Sequence, residues 1–455
     1  MVEFAELAAI RLGYGLSLHH PPPETAEDLL SSVAAAGPEA QGGVSTQDGR
    51  LVQMATADIR KGPLPDPEKK QELKRIRQMA QDLHDGAVQT AFARAIDAPV
   101  GFGERLAAFW SDHFTVRGAT PQTKVLVAAM MDEAIRPNLG GSFADLLIAA
   151  DTHPAMLHYL NQIGSVGPNS AFAKGARRRN LGLNENLARE MIELHTIGVG
   201  GAYSQQDVTQ LAELLTGLTY ETRRDLGFLP ARAEPGAEIV LGRRYGGDGP
   251  ARIGDIHAVM RDLALTPGTA THLARKLAVH FVSDTPPEPL VARLAAVYRE
   301  GGGQLMPVYR ALIDSPELAE GFRGKVRPPQ EFVIASARAL GVTREQVQAL
   351  PPQDFRRLYV NPLRGMGQPW GQPDGPNGWP EEAEAWITPQ GLAARIGWSL
   401  RIPGRLTRPL PDPRSFLRTA LGTTAGADLE WAVPRAENAA EAVSLILSSP
   451  DFNRR

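Results

Sequence analysis

Between Asn184 and Gly198 the chain reads NENLAREMIELHTIG, a run dense in carboxylates with one guanidinium and one imidazole. Such groups can move protons, hold a cation or offset an anion. Asn184 suits a helix N-cap, and Glu185 follows in the first turn, where negative charge favours the helix dipole. Gly198 suits the position after the last turn, because glycine enters left-handed backbone conformations freely. At about 100° per residue, Leu187, Met191 and Leu194 share one face, with Ala188 and His195 beside them. Glu185, Asn186, Arg189, Glu190 and Glu193 share the opposite arc. If that arc is solvated, Glu185 and Arg189 form a pair worth only about 0.2–0.5 kcal/mol. If it turns inward, Glu190 and Glu193 can share a cation or a proton. One of them is then a ligand or general base, Arg189 holds developing negative charge, and Glu185 completes the polar set. On a continuous helix His195 points nearly opposite to Glu193, so it reads as a core or carbonyl-capping residue.

A second cluster lies in GERLAAFWSDHFTV, residues 103–116, where Arg105, Phe109 and His113 recur one turn apart. Asp112 and His113 sit among aromatic residues. They are either a packed core pair or a site in which the carboxylate tunes the imidazole. His113 with Glu190 and Glu193 is the most economical ligand set for one divalent ion, and Asp112 joins the candidate catalytic residues. The loop 161–183 carries Lys174, Arg177, Arg178 and Arg179 into the start of the 184–198 helix. There the arginines and free helix amides could hold an anion; otherwise they offset nearby glutamates. Residues 361–386 form a long Gly/Pro loop with Trp370, Trp379 and Trp386. The indoles either grip a ligand or partner or pin the loop to the core.

The elements that must position these groups are mainly helical. Amphipathic spacing predicts helices over 3–13, 25–36, 67–97, 103–116, 122–136, 142–160, 184–198, 253–265 and 267–282. Another runs from a capping box at Ser204 and Asp207 to about Tyr220. Residues 37–50 read as a Gly-rich loop, and 61–67 as a proline spacer. The one strand signal is a small β-hairpin near 226–246. The fold expected is a multi-helix orthogonal bundle with that hairpin and long Gly/Pro loops. Three parts are expected: an N-terminal helical segment (1–60), a main helical domain (61–360) with an insertion at 221–255, and the aromatic loop with C-terminal helices (361–455) on the same core.

Composition narrows the classes. The chain has 455 residues, 43% of them hydrophobic, enough for a sizeable core. A formal net charge of −3 argues against a general nucleic-acid or membrane-surface binder. With 0 cysteines there are no disulfides, thiolate metal sites or cysteine nucleophiles. The N-terminus MVEFAELAAIRLGYG has neither a signal-peptide core nor a membrane span, so a cytoplasmic location without membrane insertion is expected. No nucleophile elbow, P-loop, HExxH or dinucleotide fingerprint is present.

Taken together, FWSDHFTV, NENLAREMIELHTIGVGGAYSQQDV with LTGLTY, HLARKLAVHFVSD, KVRPPQEFVIASARALG and GQPWGQPDGPNGWPEEAEAWI resemble the bacterial domain of unknown function eighteen-hundred family. The resemblance runs from about Arg11 to the C-terminus. It implies a largely helical protein without an established activity, and places the family's motif positions at Asp112, His113, Asn184, Glu185, Arg189, Glu190, Glu193, His195 and Asp207. It also implies frequent export and gene neighbours that look like sulfatases or alkaline phosphatases. Two functions follow as expectations. One is a metal-assisted hydrolase acting on an anionic substrate. The other is a non-catalytic scaffold or assembly partner of an exported sulfatase- or phosphatase-like protein, with which this chain could itself be exported.

Overall fold

A computed structural model describes residues 2–37, 43–175, 182–249 and 251–455. The principal helices are α1 (Phe4–Arg11), α2 (Ala26–Ala35), α3 (Thr46–Lys61), α4 (Asp66–Asp97), α5 (Phe102–His113), α6 (Pro121–Met130), α7 (Phe143–Asp151) and α8 (Pro154–Tyr159). Next come α9 (Asn186–Glu190), which runs into a π turn at Met191–His195, and α10 (Gln205–Leu214). After the strands follow α11 (Ile253–Ala264), α12 (Pro267–Phe281), α13 (Glu288–Glu300), α14 (Leu305–Ile313), α15 (Pro329–Ala339), α16 (Pro389–Arg401), α17 (Pro413–Leu421) and α18 (Ala439–Ser448).

The mainly helical expectation holds, with local corrections. The strands form two antiparallel pairs instead of one hairpin: β1 (Leu218–Glu221) with β2 (Leu226–Phe228), and β3 (Ala237–Val240) with β4 (Arg243–Gly246). β1 takes Leu218–Tyr220, so α10 ends at Leu214 and not near Tyr220. The expected 142–160 helix is broken before Pro154, whose ring cannot continue a helix interior. Helix α3 occupies part of the expected 37–50 loop. Ser45 and Asp48 cap each other's backbone N–H groups at its start.

Two large apolar clusters make the core. One is built from α1, α2, α5–α7, α9–α14 and the segments around them. The other joins the C-terminal half of α4 to α15, residues 340–366 and α16–α18. The N-terminal half of α4 packs with α3 and α6 in a third, smaller cluster, and its C-terminal half plugs into the second lobe. There Arg338 Nη1 donates to the α4-end carbonyls of Ala95, Ile96 and Ala98 at 3.3, 2.8 and 2.7 Å. Polar groups also cross the seam. Glu331 of α15 lies 3.3 Å from Arg105 of α5 and 2.8 Å from Arg455. Lys325 is fully buried against Asp284 and Glu381. Buried ions are tolerated only when paired in this way.

Candidate functional site

Helix α9 starts as the sequence predicts and then departs from it. Asn184 Oδ1 accepts from the Asn186 N–H at 3.0 Å, and the Asn184 amide donates to the Leu160 and Asn161 carbonyls at 2.9 and 3.0 Å. Leu187, Ala188, Met191 and Ile192 are buried. Arg189 sits between Glu185 and Glu193, at 3.2 and 3.3 Å. Thr209 and Gln205 of α10 close on Glu185 at 2.7 and 3.0 Å. The side chains of Arg189, Glu185 and Glu193 keep 39%, 31% and 23% of their exposure. The face is therefore a half-open brace between α9 and α10. Glu190 is half-buried, and burial raises its pKa, with Glu193 adding to the rise and His195 and Arg189 opposing it.

His195 lies in the core, as its place beside the apolar face predicts, and its Nδ1 lies 2.9 Å from Oδ1 of the fully buried Asp151. The helix ends there in a π turn, and its last carbonyls have no helical partners. His113 Nε2 lies 3.1 Å from the His195 carbonyl, and His272 Nε2 lies 3.0 Å from the Leu194 carbonyl. Each Nε2 must carry the proton to donate, so in neutral His113 the bare nitrogen is Nδ1, which is buried without a partner. Burial holds the His113 pKa well below its ordinary value, and Lys276, His195 and His272 push the same way. His272 is likewise pushed down to about 4. Of the two readings of His195, core packing is the one seen, and His113 and His272 do the carbonyl capping. The structure does not bring His113 together with Glu190 and Glu193: among the described residues no group of three His, Asp or Glu side chains is placed to hold a metal ion. Arg177, Arg178 and Arg179 lie outside the described residues.

Asp112, one residue before His113, faces the other way, onto a cleft of about 340 Å³. Helices α4, α5 and α6 form one wall, and residues 356–373 with Trp379 form the other. Both Asp112 oxygens accept from the Trp379 N–H, at 3.0 and 3.1 Å. Gly378 makes this possible: its φ is +80°, and a Cβ there would stand 2.5 Å from Asp112 Oδ2. Burial pushes the Asp112 carboxyl up to about 7, against the pull of Lys276 and of the Trp379 hydrogen bond. Lys276 is itself lowered by burial, while Asp112 and Glu381 act to raise it. Beyond Asp112 the cleft carries Asp85, Asp132, Lys124, Arg356 and Arg364. Burial would raise Asp85, but His84, Gln81 and Arg356 outweigh it and hold the carboxylate low. Two further π turns, Met131–Ile135 and Arg356–Val360, contribute to the lining. Such turns recur at functional sites, where they re-aim side chains.

The tryptophans pin the loop. Trp386 is 2% exposed, Trp379 lies 6.1 Å from it, and Trp370 packs 5.1 Å from Phe92. Trp370 and Trp379 also line the cleft. Asp85, Lys276, Glu381, Arg356 and Arg364 carry no motif in the sequence that marks them for this site. Lys276 had a weak signal, a cation next to the apolar Leu273, Leu277 and Phe281 line. The others meet only through contacts distant in the chain.

These features define a mainly helical protein with a polar cleft where two helical lobes meet, roofed by an aromatic Gly/Pro loop. Residues 10–454 match the family described as "Protein of unknown function (DUF1800)", and the chain belongs to that family. No curated protein and no solved structure matches the chain. Among the described residues no helix is long and apolar enough to cross a membrane.

Proposed function

We propose that this protein is a hydrolase that binds an anionic substrate in the cleft and uses Asp112 to move the proton. A carboxyl near pKa 7 can take a proton from attacking water and return it to the leaving group at neutral pH. Arg356, Arg364 and Lys124 supply positive charge for the anionic group, and the indoles of Trp370 and Trp379 supply flat apolar surface. The observation that carries the reading is Asp112 itself, fixed by the Trp379 N–H at the wall of an open cleft. A perturbed carboxyl in a cleft marks a candidate functional site.

The test is a substrate panel of phosphate, sulfate and carboxylic esters, assayed with wild type and Asp112→Asn. Turnover should fall at least about a hundredfold in the variant, and the wild-type rate should carry a pH limb near 7. Unchanged turnover in Asp112→Asn would overturn the assignment. Assays with and without added divalent ions separate this route from a metal-assisted one in which Glu190 and Glu193 serve as ligands. A partner-binding role for the 361–386 loop has less support, because Trp386 is buried and Trp370 and Trp379 face the cleft.

A further inference from the structure

The cleft beside Asp112 has a helical wall that is apolar and cut low. Helix α4 presents Ala87 and Ala91, α5 presents Ala108, and α6 with the turn after it presents Val127, Ala128 and Met131. All six line the cleft and keep part of their exposure. Protein interiors pack without large voids, so a space of about 340 Å³ beside four alanines exists because those side chains end at Cβ. Ala108 stands one turn before Asp112 on α5, so the apolar wall runs up to the carboxyl. Charge in the cleft is mostly paired within the protein. Asp85 is set against Arg356, and Asp132 against Arg94 and Arg136. Lys124 and Arg364 line the same space, and among the described residues neither has a carboxylate partner. One cavity therefore holds an apolar wall, two unpaired cations and Asp112.

We propose that the substrate is amphipathic, one anionic group on an alkyl or aryl body, with the body on the α4–α6 wall and the anion at Lys124 and Arg364. This names the substrate class for the hydrolase reading at Asp112 and rests on that reading. Sites for small molecules combine a mainly apolar lining with a few placed polar groups, and the two unpaired cations are such groups. A sugar phosphate fits the wall poorly. Its hydroxyls would lie against Ala87, Ala91, Ala108 and Val127, whose side chains offer no hydrogen bond, and polar groups buried unpaired cost free energy. An apolar body loses nothing there and gains by leaving water. Ala91 and Ala108 are then specificity-determining positions, because a longer side chain at either one occupies the space the body needs.

The experiment is calorimetric titration of the full chain with phosphonates, which are not hydrolysed. Methyl-, butyl-, hexyl- and phenylphosphonate vary the body, hexanoate and hexanesulfonate vary the anion, and hexanol and glucose 6-phosphate are the controls. In wild type, affinity should rise about two- to fourfold per methylene from methyl- to hexylphosphonate. Ala91→Leu and Ala108→Leu should each flatten that rise. A combined Lys124→Ala, Arg364→Ala variant should weaken every phosphonate about tenfold or more. Circular dichroism checks that each variant is folded, and the wild-type series alone decides the question if one is not. Asp112→Asn should keep the rise, so lost turnover with the rise intact separates the Asp112 chemistry from the substrate class. A flat wild-type series, or no phosphonate binding at all, would overturn the proposal. Hexanol bound as tightly as hexylphosphonate would remove the anion from it, and glucose 6-phosphate bound more tightly would overturn it in favour of a sugar.

Discussion

The Arg189 face and the seam between the lobes use the same side chains to opposite ends. At α9, Arg189 lies between two glutamates that keep 31% and 23% of their exposure. At the seam, Glu331 lies between Arg105 and Arg455, which are almost wholly buried. Water screens the first group and is excluded from the second. Exposed pairs contribute about 0–1 kcal/mol, whereas stripping one partner from a buried pair costs several times more. Charge density along the chain therefore points to α9, while the strongly perturbed groups gather where two apolar cores meet.

The sharpest way to break this contrast is Glu331→Ala. It leaves Arg105 and Arg455 buried without their carboxylate, and denaturant unfolding should show a loss of about 3–5 kcal/mol. A loss under 1 kcal/mol would place the seam on the same footing as the surface.

The buried histidines give an effect of similar order, read by pH. In the fold His272 is pushed down to about 4, and His113 also lies well below its ordinary 6.5. The unfolded chain takes up protons below pH 6.5 that the native histidines refuse. Their contribution is present above pH 6.5 and is lost as the pH falls toward 4, by on the order of 3 kcal/mol for His272. His272→Gln should flatten that part of the stability profile. An unchanged profile would show that the imidazole titrates freely.

Gly378→Ala should cost about 1–3 kcal/mol, because alanine disfavours the +80° φ and its Cβ collides with Asp112. The loop should lift and the Asp112 pKa should fall toward 3.8. A variant with unchanged melting and unchanged titration would show that the loop does not hold Asp112. The smallest effect belongs to Arg189→Ala, expected at about 1 kcal/mol or less. A larger loss on thermal or denaturant unfolding would mean that the α9 face contributes more than its exposure allows.

The helices that position the site were legible where apolar spacing and caps agree. Ser204 and Asp207 form the reciprocal cap expected of them, and Gly198 takes a φ of +94° at the end of the 184–198 segment. The π turn at Met191–His195 was not legible. A sequence shows a mean helical period, whereas the extra residue in this turn is stabilised by His113 and His272 from distant helices. Helix α3 carried a signal in its Ser45–Asp48 cap, obscured by the glycines before it. Asp112 stood out beside His113, but its environment did not: the N–H it accepts from belongs to Trp379, 267 residues further along the chain. The cleft likewise joins α4–α6 to residues beyond 356, a contact that no local pattern encodes.

The proposed chemistry depends on Asp112 titrating near neutrality at the wall of the cleft. Carbon-13 carboxyl NMR, with the resonance assigned by its disappearance in Asp112→Asn, measures this directly. The midpoint should lie near 7; a midpoint near 3.8 would contradict the assignment of Asp112.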